Sequence, residues 1–278
     1  MLLLILLILP AVCAAVTGIC SGAFQSLAWL WVLPVTYLGA FLAVLLCIGL
    51  LILISSAVIN KKKPQENDSR FYRWLTYSVI DLVLPLLPVR LHVQGLEKNP
   101  KENRVLLVCN HLHEIDPAIL MKYFPEKQLA FIAKREVEDM PIVGNIMYKL
   151  LCQTVNREND REALKTILKC IQLLKDEKVS IGVFPEGYIR EDRKLHHFRS
   201  GVFKIAQKTG VPIMVCTLQN TNHVISNTLR LKSTDVHMHL LTVLYPQDYA
   251  HMTTIELAEH IYQMMVADLG PENVSQDP

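Results

Sequence analysis

Hydrophobic residues are distributed along this chain in two regimes, and the change between them falls at Asn60. Before it there is no Asp, Glu, Lys, Arg or His. Leu2 to Ile19 and Pro34 to Val58 are almost wholly apolar. Each is long enough, as a helix, to cross a hydrocarbon core, which takes about 20 residues. A short polar gap, Ser21 to Ser26, separates them, and Trp29, Trp31 and Tyr37 are of the types that favour the membrane boundary. The pattern predicts a two-helix membrane anchor over residues 1–60. A cleaved leader is the alternative for Leu2 to Ile19, but that stretch lacks a basic start and its removal would leave the second span in place.

After Asn60 the pattern becomes that of a soluble domain. Residues 61–70 are polar and include Pro64, so they predict a linker. Within residues 61–88, Trp74, Leu75, Val79, Leu82 and Val83 mark one face of a helix that either rests on a membrane surface or packs into the domain core. From Val89 to the end, residues 89–278, short apolar runs alternate with helical periodicity, which predicts an α/β domain with a mixed, largely parallel sheet flanked by helices. The expected strands are 90–94, 105–109, 128–133, 179–183, 211–217 and 236–244. Leu164, Ile167, Leu168, Ile171 and Leu174 recur at helical spacing, with Asp160 and Glu162 in the first turn. Thr253 and Glu256 form a candidate capping box ahead of a second helical stripe, Ile255 to Met265.

Charge and cysteine content narrow the class. The net charge of +2 is carried entirely after Asn60 and forms no long basic stripe, which argues against a nucleic-acid binder. The seven cysteines are scattered without a paired short spacing, as suits a reducing compartment. Lys61, Lys62 and Lys63 directly follow the second apolar span. Positive charge beside a span tends to remain in the cytoplasm, so the soluble domain is expected on the cytoplasmic side of an integral membrane protein.

Two apolar runs end in polar groups able to do chemistry. Val105 to Cys109 is followed by Asn110, His111, Leu112, His113, Glu114, Ile115 and Asp116, and Val179 to Val183 by Phe184, Pro185, Glu186 and Gly187. Open α/β sheets bind their substrates just beyond the strand ends, where both segments are expected. Asp116 precedes Pro117 and an apolar stretch, the place of a helix N-cap, and can also face His111 across a tight connection. A carboxylate on one ring nitrogen fixes the tautomer and raises the basicity of the other, which suits a general base.

These blocks, together with Val155, Asn156, Arg157 and then Val211, Pro212, Ile213, occur in an order that resembles the 1-acylglycerol-3-phosphate acyltransferase family of glycerolipid acyltransferases. The resemblance covers about Val89 to Leu244. It implies that His111 takes the proton of an acceptor hydroxyl, with Asp116 orienting it, and that this hydroxyl attacks the thioester of acyl-CoA or acyl carrier protein without an acyl-enzyme. It also implies that Arg157, Glu186 and Gly187 hold the phosphate head group of a lysophospholipid, and that Val211, Pro212 and Ile213 wall the acyl site. Asn110, Lys134 and Arg190 are added as candidate substrate contacts. No metal or other cofactor is expected, and the chain has no G-x-S-x-G nucleophile turn. In the family a small hydroxyl residue is usual at the position of His113, and an arginine one position before Arg190. Tyr188 and Ile189 stand where Thr and Arg are usual, so acceptor identity is less sharply implied than reaction type. Glycerol 3-phosphate and other lysophospholipids remain alternative acceptors.

Two further readings compete. His111, Leu112, His113 and Asp116 approach a two-metal H-x-H-x-D-H hydrolase cluster, but the spacing fails by one residue and no metal-type Cys and His pair lies elsewhere. Adjacent His196 and His197 would point in different directions. A non-catalytic membrane scaffold would need the base or its partner to be missing, and both are present.

Overall fold

The computed structural model describes residues 2–156 and 159–275. Arg157, one of the expected head-group contacts, lies outside the described residues.

Two apolar helices come first, α1 (Leu2–Cys20) and α2 (Trp29–Ala57), folded back on each other as a hairpin. Both are long and apolar enough to cross a membrane. Leu4, Ile8, Leu46 and Ile54 are among the many apolar side chains left uncovered on them. The second helix begins at Trp29 rather than at Pro34. Proline is tolerated there because it removes a single N–H from one of the early turns, after Trp31 and Val32 have already closed onto the Ala28 carbonyl.

The segment predicted to be amphipathic forms α3 (Arg70–Val83) and serves as a wedge. Val79 and Leu82 pack on Leu2, Leu6 and Ile48 of the hairpin, whereas Ile80 packs into the soluble domain. The predicted stripe is therefore divided: Leu75 and Leu82 are buried, while Trp74 and Val83 remain exposed. Arg73 anchors the wedge from inside. Its guanidinium pairs with Asp68 at 2.9 Å and donates to the Leu129 carbonyl at 2.6 Å.

The rest of the chain alternates strand and helix. In order these are β1 (Val89–Gln94), β2 (Leu106–Cys109), α4 (Asp116–Tyr123), β3 (Leu129–Lys134), α5 (Val143–Lys149), β4 (Gln153–Val155), α6 (Asp160–Lys175) and β5 (Ser180–Val183). They continue with α7 (Lys204–Thr209), β6 (Ile213–Gln219), α8 (Val224–Leu229), β7 (Thr234–Leu244), α9 (Pro246–Tyr249) and α10 (Thr254–Leu269). All six expected strands are present. Strand β4 and the short helices α5, α7, α8 and α9 are additions, each too short to leave a periodicity in sequence. The Thr253–Glu256 capping box forms as expected.

The seven strands make one sheet in the order β1-β7-β6-β2-β5-β3-β4. Every neighbouring pair is parallel except β6 with β7. Strands β2 and β5 are wholly buried. Helices cover them on both faces, which is why they appear as unbroken apolar runs rather than alternating ones. Leu106, Val108, Ile213 and Val215 face α6, α7 and α10, whereas Leu107, Cys109, Met214 and Cys216 face α3 and α4. The polarity of the strands sends the outgoing ends of β2, β3, β5 and β6 to one edge of the sheet, and this edge carries the site.

Candidate active site

Strand β2 leads directly into the His111 loop. Nδ1 of His111 lies 2.8 Å from Oδ2 of Asp116, so the ring carries its proton on that side and presents Nε2 as an acceptor. Among the described residues no side chain bonds Nε2. Asp116 is fully buried and sits at the first position of α4 rather than at its cap. Its Oδ2 also accepts the backbone N–H groups of Leu112 at 2.7 Å and His113 at 2.8 Å. The carboxylate thus ties its own loop shut while it orients the imidazole. His113 is used locally, its Nδ1 accepting the Ile115 N–H. Among the described residues no group of three or more His, Cys, Asp and Glu is arranged to hold a metal ion.

Glu186 braces the site from beneath. Its Oε1 accepts the His111 N–H at 2.8 Å and its Oε2 the His196 N–H at 2.9 Å, and the residue is only 5% exposed. Burial pushes its acid up to about 8, against the opposing pull of the two backbone donors. Both oxygens are engaged with backbone, so the head-group contact expected of Glu186 is not what its geometry offers. The turn that carries it closes through Gly187 N–H to Phe184 C=O, and Gly187 has φ +91°, a conformation that favours glycine. Asn110 is likewise turned away from substrate. Its side chain pairs with Leu218 as a strand would, donating to the carbonyl at 2.9 Å and accepting the N–H at 2.7 Å.

A column of rings fixes the plane of the His111 imidazole. His111 stacks on Phe184 with centroids 4.0 Å apart, and Phe184 stacks on Phe131 at 5.6 Å. Phe131 lies opposite Gly182 in the β3–β5 register, where a side chain would collide with its ring. The sequence held a signal for this: a glycine inside an apolar strand often marks a close approach.

Cations surround the same edge. Lys134, at the outgoing end of β3, is exposed. Arg190 is exposed and its guanidinium lies over the Tyr188 ring at 4.7 Å. Arg193, which sequence reasoning missed, donates from Nη1 to the Leu112 carbonyl at 2.7 Å and so stands beside the His111 loop. Nothing in its local sequence distinguishes it. Val211, Pro212 and Ile213 are at the other end of the molecule. Ile213 pairs with Leu106 at the start of β2, and Pro212 accepts the Leu106 N–H. Because β6 runs parallel to β2, these residues lie at the sheet edge opposite His111 and do not wall the site. Of the two adjacent histidines, His196 turns to Asp192 and His197 to the Tyr262 ring, in different directions as expected.

A His–Asp pair lies at the outgoing end of a parallel strand, braced by a buried carboxyl group in the turn after the neighbouring strand, and comparison with known proteins identifies the chain that carries it as an acyltransferase. The Acyltransferase family model matches residues 90–219. The chain is 31% identical over 174 residues to the 1-acyl-sn-glycerol-3-phosphate acyltransferase of Borreliella burgdorferi, covering 61% of this chain and 69% of that one. It is 30% identical over 204 residues to a probable 1-acyl-sn-glycerol-3-phosphate acyltransferase of Mycoplasma pneumoniae, covering 70% of this chain and 75% of that one. The crystal structure of the 1-acyl-sn-glycerophosphate acyltransferase of Thermotoga maritima shares the fold, with a TM-score of 0.61, 23% identity and coverage of 80% of this chain and 88% of that one. The chain belongs to the 1-acyl-sn-glycerol-3-phosphate acyltransferase family.

Proposed function

We propose that this chain is a membrane-bound O-acyltransferase that converts 1-acylglycerol 3-phosphate to phosphatidic acid, with acyl-CoA or acyl carrier protein as the acyl donor. The observation that carries the reading is the His111 ring, held at Nδ1 by Asp116 with Nε2 left without a partner among the described residues. In this mechanism Nε2 takes the proton of the acceptor hydroxyl as its oxygen attacks the thioester carbonyl. The tetrahedral intermediate collapses, the C–S bond breaks and the imidazolium returns the proton to the departing thiolate. The balance is one ester formed, one thioester consumed and one free thiol released, with no acyl-enzyme and no metal in the cycle. Asp116 stabilises the imidazolium through a charge-assisted hydrogen bond.

The acceptor phosphate asks for guanidinium or ammonium groups. Arg193, Arg190 and Lys134 are the described candidates on the site edge, with Arg157 proposed beside them. Arg193 commits one nitrogen to Leu112 and keeps its other donors for an anion. The apolar hairpin, residues 1–60, anchors the enzyme where acceptor and product reside, with 61–88 linking it to the catalytic domain, 89–278. Lys61 to Lys63 support a cytoplasmic position for that domain.

The test supplies membranes containing the chain with labelled acyl donor and a panel of acceptors, then identifies the lipid formed. Phosphatidic acid made from 1-acylglycerol 3-phosphate is expected, and its absence in His111→Ala. Undiminished transfer by that variant would remove the base from the mechanism, and labelling of glycerol 3-phosphate alone would replace the acceptor.

A further inference from the structure

The connection between β6 and β7, residues 220–233, displays leucines where a water-facing loop ordinarily carries polar groups. Leu229 is 80% exposed and Leu231 95%. The display is built rather than slack. Leu231 N–H donates to the Thr228 carbonyl at 3.0 Å and Lys232 N–H to the Asn227 carbonyl at 2.9 Å, the paired bonds that close a helix end. Glycine is the usual residue at the left-handed position of such an end, yet Leu231 occupies it at φ +53°. Val224, on the inner side of α8, is fully buried and pins the tip to the domain. Arg230 and Lys232 flank Leu231, both exposed and neither in an ion pair among the described residues.

The tip stands on the site edge and continues the hairpin's side of the molecule. Strand β6 runs beside β2 with Cys216 opposite Cys109, so it delivers the tip close to the level of His111. Thr234 N–H donates to the Pro88 carbonyl, and Asn227 Nδ2 to Thr234 Oγ1, which stitches the connection to the segment after α3. That segment exposes Leu86, beside the exposed Val83 that ends α3, and it closely follows Val79 and Leu82, which pack on the hairpin.

We propose that this tip is a second membrane contact. Leu229 and Leu231 enter the boundary of the leaflet that receives the hairpin, while Arg230 and Lys232 meet anionic lipid phosphates. The proposal rests on the hairpin lying in the bilayer. A bilayer fits better than a protein partner, because alternating leucine and basic residues on a convex tip match an apolar layer covered by negative charge. With the hairpin on one flank and the tip on the other, the edge carrying His111 is held against the surface from which the acceptor arrives.

The test uses the full chain in vesicles of phosphatidylcholine and phosphatidylglycerol containing nitroxide-labelled lipid. An environment-sensitive dye is placed, one site at a time, at Leu231→Cys, at native Cys47 in the hairpin and at Ile255→Cys near the opposite edge, with the other exposed cysteines replaced. Lipid quenching is expected at 231 and 47 and not at 255, weakening at 231 when phosphatidylglycerol is omitted. Quenching at 47 but not at 231 overturns the tip contact and leaves the anchor standing; loss at both positions overturns both. A dye at 231 shielded from water yet unquenched by lipid means that protein covers the tip, which also overturns the proposal. The variant carrying Leu229→Ser and Leu231→Ser is expected to slow acyl transfer severalfold on vesicle-borne acceptor and to leave it unchanged in detergent micelles. Equal loss in both settings counts against a membrane role.

Discussion

Gly182→Ala puts a methyl group where the Phe131 ring now lies. An ideal Cβ would stand 2.4, 2.6 and 3.0 Å from Cε1, Cδ1 and Cζ of that ring. Carbon atoms settle at about 3.5–4.0 Å, so the ring or the strand has to move by roughly 1 Å. Phe131 is 6% exposed and has no outward route, which leaves movement along the column toward Phe184 and His111. Overpacking of this kind costs about 1–3 kcal/mol of stability. A displacement of about 1 Å at a reacting group costs on the order of 10²-fold in rate. The expected result is a lowered Tm and a kcat reduced by about ten- to a hundredfold, with KM for the acyl donor little changed. Initial rates of thiol release from acyl-CoA in mixed micelles, measured beside thermal unfolding, report both effects. Adding Phe131→Leu makes room for the methyl and should restore stability while leaving much of the rate loss, because the ring itself is gone. A folded Gly182→Ala enzyme with unaltered kcat refutes the idea that the column holds the imidazole.

Three other outcomes are expected. His111→Ala should lower kcat by about 10²- to 10⁴-fold while the protein stays folded with a lowered Tm, seen by acyl transfer and calorimetry together; a rate within threefold of the parent would contradict general-base catalysis. Burial raises the Glu186 acid from 4.5 to about 8, so between those values the folded protein holds a proton that the unfolded chain has released. The associated stability is complete below the lower value and is lost as pH rises through the upper one, by up to ~1.4 kcal/mol per pH unit. Unfolding midpoints taken across that window should show the decline, and Glu186→Gln should flatten it; an equal slope in the variant assigns the effect to another group. Asp68→Asn strips the partner from a guanidinium whose side chain is 6% exposed, and should cost about 3–5 kcal/mol in denaturant unfolding. A loss below about 1 kcal/mol would show that the Leu129 and Leu150 carbonyls suffice for Arg73.

Much of the fold was legible wherever burial is one-sided or complete over several residues. The hairpin, the fully buried β2 and β5, and the capped helices α6 and α10 each leave a run, a period or a cap. Strand β4 is three residues of intermediate burial and leaves none of these. The contact of His111 with Asp116 was legible because strand, loop and helix start are contiguous in sequence. The roles of Glu186 and Asn110 were not, since their partners are backbone groups of remote segments, and a backbone N–H or carbonyl has no side-chain signature. Val211 to Ile213 failed for a different reason. An apolar block near a site residue in sequence order says nothing about which end of a parallel strand it occupies, and only the register with β2 decides that.

The hairpin brings both of its outer ends, Leu2 beside Leu82 and Ser56 beside Asn145, back to the catalytic domain. During synthesis, whichever face of the bilayer receives the domain therefore also keeps the start of α1. The bend between the helices, from Ser21 to Ala28, lies at the hairpin's other end and carries no ionisable side chain. Insertion of the two helices as a pair would draw no charged side chain of the bend through the hydrocarbon. The geometry of the first two helices thus suits insertion as a pair, with three lysines marking the place where the apolar stretch ends.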